Sequence, residues 1–189
     1  MTPNTEATTA PGAPSRKPRL ALAIATGFGV GYIPKSPEIF GSLVGVLFAW
    51  CFSFVFASLE SFTWYHPYFK VSVNPDLELM FNIAVGLVGV WASAQVAFYL
   101  GIAKPPCVVV DKVSGQLLTL LFCISFVERF SWKYLLLGFV FYRVFDASKV
   151  WPIQKLEKLP GGWGIMTDDW MAGIYAAILL RLALHFQLV

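Results

Sequence analysis

Leu79-Met-Phe-Asn-Ile-Ala-Val-Gly-Leu-Val-Gly-Val-Trp-Ala-Ser-Ala-Gln-Val-Ala-Phe-Tyr-Leu-Gly-Ile-Ala103 carries no charged side chain along its whole length. About 20 apolar residues in a helix cross the hydrocarbon core of a bilayer, so this stretch reads as a membrane-spanning helix. Ile39–Leu59 and Trp170–Leu188 are of similar character. Val113–Val127 and Trp132–Phe145 are shorter and read as one helical hairpin, tilted or only partly inserted, with Glu128-Arg129 breaking it near the turn. The fold class that follows is all-α: an integral membrane helical domain with several transmembrane or partly inserted helices.

The whole chain agrees with that reading. Its 189 residues are 57% hydrophobic and 13% charged, against roughly 25% charged in soluble domains. The net charge of +3 is small, and no basic run interleaves with aromatics on a polar face, so nucleic acid is not an expected partner. Cys51, Cys107 and Cys123 form no CxxC and are odd in number, which argues against a disulfide framework or a zinc site. His66 and His185 lie far apart in the chain and are assigned no role. Residues 1–19 are rich in Pro, Ala and Thr and read as a disordered tail, leaving residues 20–189 as the domain. Arg16-Lys17-Pro18-Arg19 before the apolar run Leu20–Val30 imitates a signal peptide, but no Ala-x-Ala-like site follows. A retained first segment is expected.

Orientation comes from the loops. Arg16, Lys17 and Arg19 precede the first segment, and the positive-inside rule places them in the cytoplasm. The 60–78 loop holds Glu60, Asp76 and Glu78 against Lys70 and suits the outer side. The second long helix then returns near Lys104, the hairpin goes out and back, and residues 146–169 are cytoplasmic. Pro34–Ser42, Asp111, Asp146 and Asp168-Asp169 thus fall on one side of the membrane, as for a composite site at the cytoplasmic interface.

That site has a polar island at its centre: Arg143-Val-Phe-Asp146-Ala-Ser-Lys149-Val-Trp151-Pro152-Ile153, then Gly161-Gly162-Trp163-Gly164-Ile-Met-Thr-Asp168-Asp169. Carboxylates beside a membrane are costly to desolvate and need a partner. Asp168 and Asp169 are expected to open the last helix, either as caps or as ligands for a hard cation such as Mg²⁺. Arg143, Asp146 and Lys149 are spaced by three, which stacks them on one helical face. They form either a salt-bridged stripe or a metal carboxylate flanked by two phosphate-steadying cations. Asp111 is expensive alone; Lys112 beside it snorkels to the headgroups or pairs with a carboxylate. Gly27, Gly29 and Gly31 could form a phosphate-cradling turn but read better as close helix packing, with Lys35, Ser36 and Ser42 supplying donors nearby. Gly161, Gly162 and Gly164 suggest a mobile loop, and Trp151 and Trp163 suit the interfacial aromatic belt.

From about Ala23 to Ala177 these motifs resemble the phosphatidylglycerophosphatase A family. The blocks, in order, are Gly27-Phe-Gly29-Val-Gly31 with Pro34, Pro37 and Phe40-Gly41-Ser42; Val110-Asp111 with Gly115-Gln116; Arg143-Val-Phe-Asp146 with Lys149 and Trp151-Pro152-Ile153; and Gly161-Gly162-x-Gly164-Ile-Met-x-Asp168-Asp169 with Ala172-Gly173. The resemblance implies a multi-pass protein of the bacterial inner membrane, active at the cytoplasmic face on a membrane phospholipid. The implied reaction is Mg²⁺-dependent hydrolysis of phosphatidylglycerophosphate to phosphatidylglycerol and phosphate. It also implies Asp111, Asp146, Asp168 and Asp169 as catalytic, metal-binding carboxylates, with Lys35, Ser42, Arg143 and Lys149 on the substrate phosphate. Direct attack by a metal-activated water is the expected route, with an aspartyl-phosphate intermediate as the alternative.

The chain departs from the family at Glu38-Ile39, where relatives have Gly-Thr, at Val150, where they have Pro, and at Lys112, where they have Glu. The last reverses a charge beside the implied metal site. It motivates a second reading: a catalytically impaired relative that binds anionic lipid or a partner without hydrolysis. A small transporter is a third, and the gathering of acids at one face instead of the midplane speaks against it.

Overall fold

The computed structural model describes residues 16–63, 75–124 and 132–186. The first fifteen residues of the tail, most of the 60–78 loop and the Glu128-Arg129 break lie outside the described residues. Among those described there are seven α-helices, one 3-10 turn and no strand, so the chain is all-α. The helices are α1 (Arg19–Ala25), α2 (Pro37–Thr63), α3 (Pro75–Leu100), α4 (Val110–Ile124), α5 (Trp132–Ser148), α6 (Ile153–Leu156) and α7 (Gly162–His185), with the 3-10 turn at Val30–Tyr32.

Local chemistry sets the boundaries. Helices α2 and α3 begin on proline, whose fixed φ suits the first turn and whose missing N–H is not needed there. Helix α3 ends where Gly101 takes φ +65° and the Ile102 N–H returns to the Ala97 carbonyl at 3.2 Å, the Schellman pattern. The segment after Arg19 yields only a seven-residue helix, which rises about 10 Å and cannot span a bilayer. It lies against α3, and the Val109 N–H donates to the Ala25 carbonyl at 2.8 Å.

Helix α4 is the axis of the bundle, packed by α7, α2, α3 and α5. Every residue from Val110 to Leu117 is buried, including Asp111, Lys112, Ser114 and Gln116. In the described part of the Val113–Val127 arm, Val113, Leu117 and Leu120 fill a protein core. Where α4 crosses α7 the backbones nearly touch. A Cβ on Gly173 would lie 2.5 Å from the Gly115 carbonyl oxygen, and one on Gly115 would lie 2.7 Å from that of Asp169.

Helix α7 begins earlier than expected. Asp168 and Asp169 do not open it: they sit in its second turn, and its first turn holds no acid. Nor do the glycines form a mobile loop. Gly162 and Gly164 lie inside α7, where a Cβ would meet the Val90 carbonyl oxygen at 2.0 Å and that of Leu159 at 2.2 Å. Only glycine lets the helix start pressed against α3 and the preceding turn.

One described segment, Leu79–Leu100, is long and apolar enough to cross a membrane; the apolar part of α2, Pro37–Phe52, is shorter. The outward faces of four helices are nevertheless apolar: Leu43, Leu47 and Trp50 on α2; Leu87, Trp91 and Phe98 on α3; Leu136, Val140 and Val144 on α5; Ile174, Ile178 and Leu182 on α7.

Candidate active site

The crossing of α4 and α7 brings three carboxylates from three helices around one ammonium group. Lys112 Nζ lies 2.8 Å from Asp169 Oδ2, 3.1 Å from Asp111 Oδ2 and 3.8 Å from Asp146 Oδ1. The Lys112 side chain is 4% exposed and that of Asp169 not at all. Tyr142, fully buried on α5, donates its hydroxyl to Asp169 Oδ1 at 2.8 Å. At this depth each charge depends on its partners for the solvation that water no longer supplies.

A second layer of charge surrounds this centre. Arg143 Nη1 holds Asp146 Oδ2 at 2.6 Å, and its Nη2 reaches Glu38 Oε2 at 3.5 Å. Lys104, in the α3–α4 connection, donates to Asp168 Oδ2 at 2.6 Å. Lys149 pairs with Glu157 at 2.6 Å and lies 3.9 Å from Asp168 Oδ2. The hydrogen bond from Lys149 holds the Glu157 carboxyl below its usual range. Burial and the nearby Lys112 draw the Lys104 ammonium down, but Asp168 and Asp169 outweigh both and it ends above its usual value.

The four expected carboxylates thus meet at one end of the bundle, though not as one set. Successive residues on a helix point about 100° apart. Asp169 therefore enters the centre, while Asp168 faces the rim with Lys104. Asp168 Oδ1 is buried without a hydrogen-bond partner. Arg143 and Asp146 form the expected (i, i+3) pair, but Lys149 leaves their face: α5 stops at Ser148, and Lys149 takes φ +43°.

Two expected phosphate ligands are placed differently. Ser42 is buried and its Oγ donates to the Glu38 carbonyl at 3.1 Å, within its own helix. Lys35 is exposed at φ +66° ahead of α2 and joins none of the cluster's ion pairs. Glu38 reaches the rim through Arg143, not the centre. The three glycines after α1 do not pack helices: Gly27 and Gly29 take φ +56° and +102° in the turn that follows α1, and Gly31, in the 3-10 turn, fits against the Cys107 carbonyl of the α3–α4 connection. Three contributors were not singled out in the sequence: Lys104, Tyr142 and Glu157. The available signals were the loop count, which puts Lys104 on the site's side, and the four-residue spacing from Tyr142 to Asp146.

Mg²⁺ takes oxygen ligands in an octahedron at about 2.0–2.1 Å. Here the point faced by Asp111, Asp146 and Asp169 holds Lys112 Nζ at ammonium distances. Among the described residues no three His, Cys, Asp or Glu side chains are grouped to hold a metal ion. As placed, the residues fit a tethered ammonium and not a divalent ion.

Comparison with known proteins agrees with this arrangement of motifs. The phosphatidylglycerophosphatase A family profile matches residues 23–184. A phosphatidylglycerophosphatase A of Escherichia coli (strain K12) is 30% identical over 86% of this chain and 82% of its own length. One of Haemophilus influenzae is 29% identical over 83% and 84%. A Bacteroides thetaiotaomicron protein provisionally named a phosphatidylinositol-3-phosphatase is 30% identical over 87% and 93%. No solved structure matches the chain. On a profile match spanning nearly all of the described helices, the chain belongs to the phosphatidylglycerophosphatase A family of lipid phosphatases.

Proposed function

We propose that the chain hydrolyses the terminal phosphomonoester of phosphatidylglycerophosphate, giving phosphatidylglycerol and phosphate, at the cytoplasmic face of a bacterial inner membrane. One observation carries the reading: Asp111, Asp146, Asp168 and Asp169 converge with Lys104, Arg143 and Lys149 at one end of an apolar bundle. Two family relatives bear the name of this activity. The apolar outward faces of α2, α3, α5 and α7 support a multi-pass arrangement, since a surface so continuously apolar needs lipid or protein against it. The basic Arg16, Lys17 and Arg19 support the cytoplasmic orientation.

The residues divide the work by exposure. Lys104, Lys149 and Arg143 have side chains 34%, 33% and 23% exposed, so a phosphate dianion arriving from the headgroup plane meets them first. Arg143 offers a planar fork to phosphoryl oxygens. Asp168 keeps one oxygen without a partner, the acceptor suited to orient an attacking water and take its proton. Lys104, on the other oxygen, holds that carboxylate in place. A bound Mg²⁺ would polarise a phosphoryl oxygen, but the centre of the cluster does not fit one and no step here depends on it.

The same ammonium favours a second reading. With Lys112 neutralising the innermost carboxylates, the chain is a relative that holds anionic lipid at the rim without cleaving it. Phosphate release from phosphatidylglycerophosphate by purified protein in detergent separates the two, run with Mg²⁺ and with EDTA beside Asp168→Asn and Lys112→Glu. Release by the unaltered protein that is lost in Asp168→Asn supports the hydrolase. Silence cured by Lys112→Glu supports the binding-only reading. Phosphatidylinositol 3-phosphate in a parallel arm tests the headgroup suggested by the Bacteroides relative's name.

A further inference from the structure

We propose that the Lys112 ammonium is the resident cation of the buried cluster: it fills the point that Asp111, Asp146 and Asp169 face, and no divalent ion binds there. The ammonium donates to Asp169 at 2.8 Å and to Asp111 at 3.1 Å, and Asp146 completes the ring of negative charge at 3.8 Å. Its third N–H points into the same enclosed space, and at 4% exposure the group is shut away from a phosphate arriving at the rim. Its stem is confined as well. Gly41 of α2 approaches so closely that a Cβ there would sit 3.2 Å from Lys112 Cβ, so the root of the side chain is packed between α4 and α2.

Charge accounting points the same way. Three carboxylates face one another across the centre, and two cations answer them: Lys112 from inside and Arg143 from the Asp146 side. Tyr142 adds a neutral donor to Asp169. A divalent ion entering this space would share it with the Lys112 ammonium already seated among the carboxylates, and like charges at such range in a poorly solvated site repel strongly. This charge assignment holds whichever ester the protein cleaves. It makes the site's integrity independent of dissolved metal, and reversing the charge at position 112 should hand the site to a metal ion.

The test uses the full chain in detergent, comparing the parent with Lys112→Glu and Lys112→Met. Thermal unfolding is followed in millimolar MgCl₂ and in EDTA at matched ionic strength, and Mn²⁺ binding by electron paramagnetic resonance. The parent is expected to unfold at the same temperature in both buffers and to take up no Mn²⁺ saturably. Lys112→Glu is expected to lose stability in EDTA, recover it in MgCl₂ and bind Mn²⁺ at about one ion per chain; Lys112→Met should lose stability and recover in part. Saturable Mn²⁺ binding by the parent that disappears in Asp169→Asn would overturn the proposal. Equal stability of the parent and both variants in EDTA would also overturn it. If neither variant folds, the parent's Mn²⁺ titration decides alone.

Discussion

Asp168 and Asp169 are chemically identical neighbours with different partners, and their variants should part accordingly. Asp169 is fully buried and shared by Lys112 and Tyr142. Asp169→Asn leaves an ammonium short of a counter-charge, and breaking a buried pair costs about 3–5 kcal/mol. A large fall in the denaturant midpoint is expected, together with loss of phosphate release. Lys104 is a third exposed and holds only the rim. Lys104→Gln should keep the fold and weaken phosphate capture, raising KM about tenfold for the loss of one charge-assisted bond; steady-state kinetics on mixed micelles measure it. An unchanged KM would remove Lys104 from the phosphate site. The sequence showed which residues carried charge. It did not show that Asp168 and Asp169 serve different layers, because the helix start was placed at the pair instead of at Gly162.

At the scale of elements, the crossing of α4 and α7 builds the site. Gly115 and Gly173 let two backbones meet, and that contact lies one turn from Lys112 and Asp169. Gly115→Ala puts a methyl group 2.7 Å from the Asp169 carbonyl oxygen and 2.8 Å from Tyr142. Overpacking of this kind costs about 1–3 kcal/mol. Far-ultraviolet circular dichroism should show unchanged helix content, while stability and activity fall together. Retained activity would mean that the cluster tolerates a wider crossing. These glycines were visible in the motifs, but their partners were not, since contact between positions so far apart in sequence is a property of packing. Hydropathy leaves one question open. Val113, Leu117 and Leu120 are enclosed by neighbouring helices, and burial in protein and burial in lipid leave the same mark on composition.

For the whole molecule, the apolar outer surface is the feature to test. Leu87 on α3 points outward and is about half exposed. Leu87→Arg puts a charge near the middle of the candidate span Leu79–Leu100, at a cost of about 2.5–3.5 kcal/mol on the insertion scale. The variant should be depleted from carbonate-washed membranes, and full retention would mean that this face meets protein instead of lipid. Composition and the length of the apolar runs were enough to determine an all-helical, strongly apolar chain and the charged residues that gather at its candidate site. Those properties are local, set by side-chain character along each helix. Which acid meets which base was decided only by the tertiary structure. Partners such as Lys112 and Asp169 are brought together by helix crossings and glycine contacts between distant segments, and the ammonium reaches the centre of the carboxylates only when α4 is enclosed by the rest of the bundle.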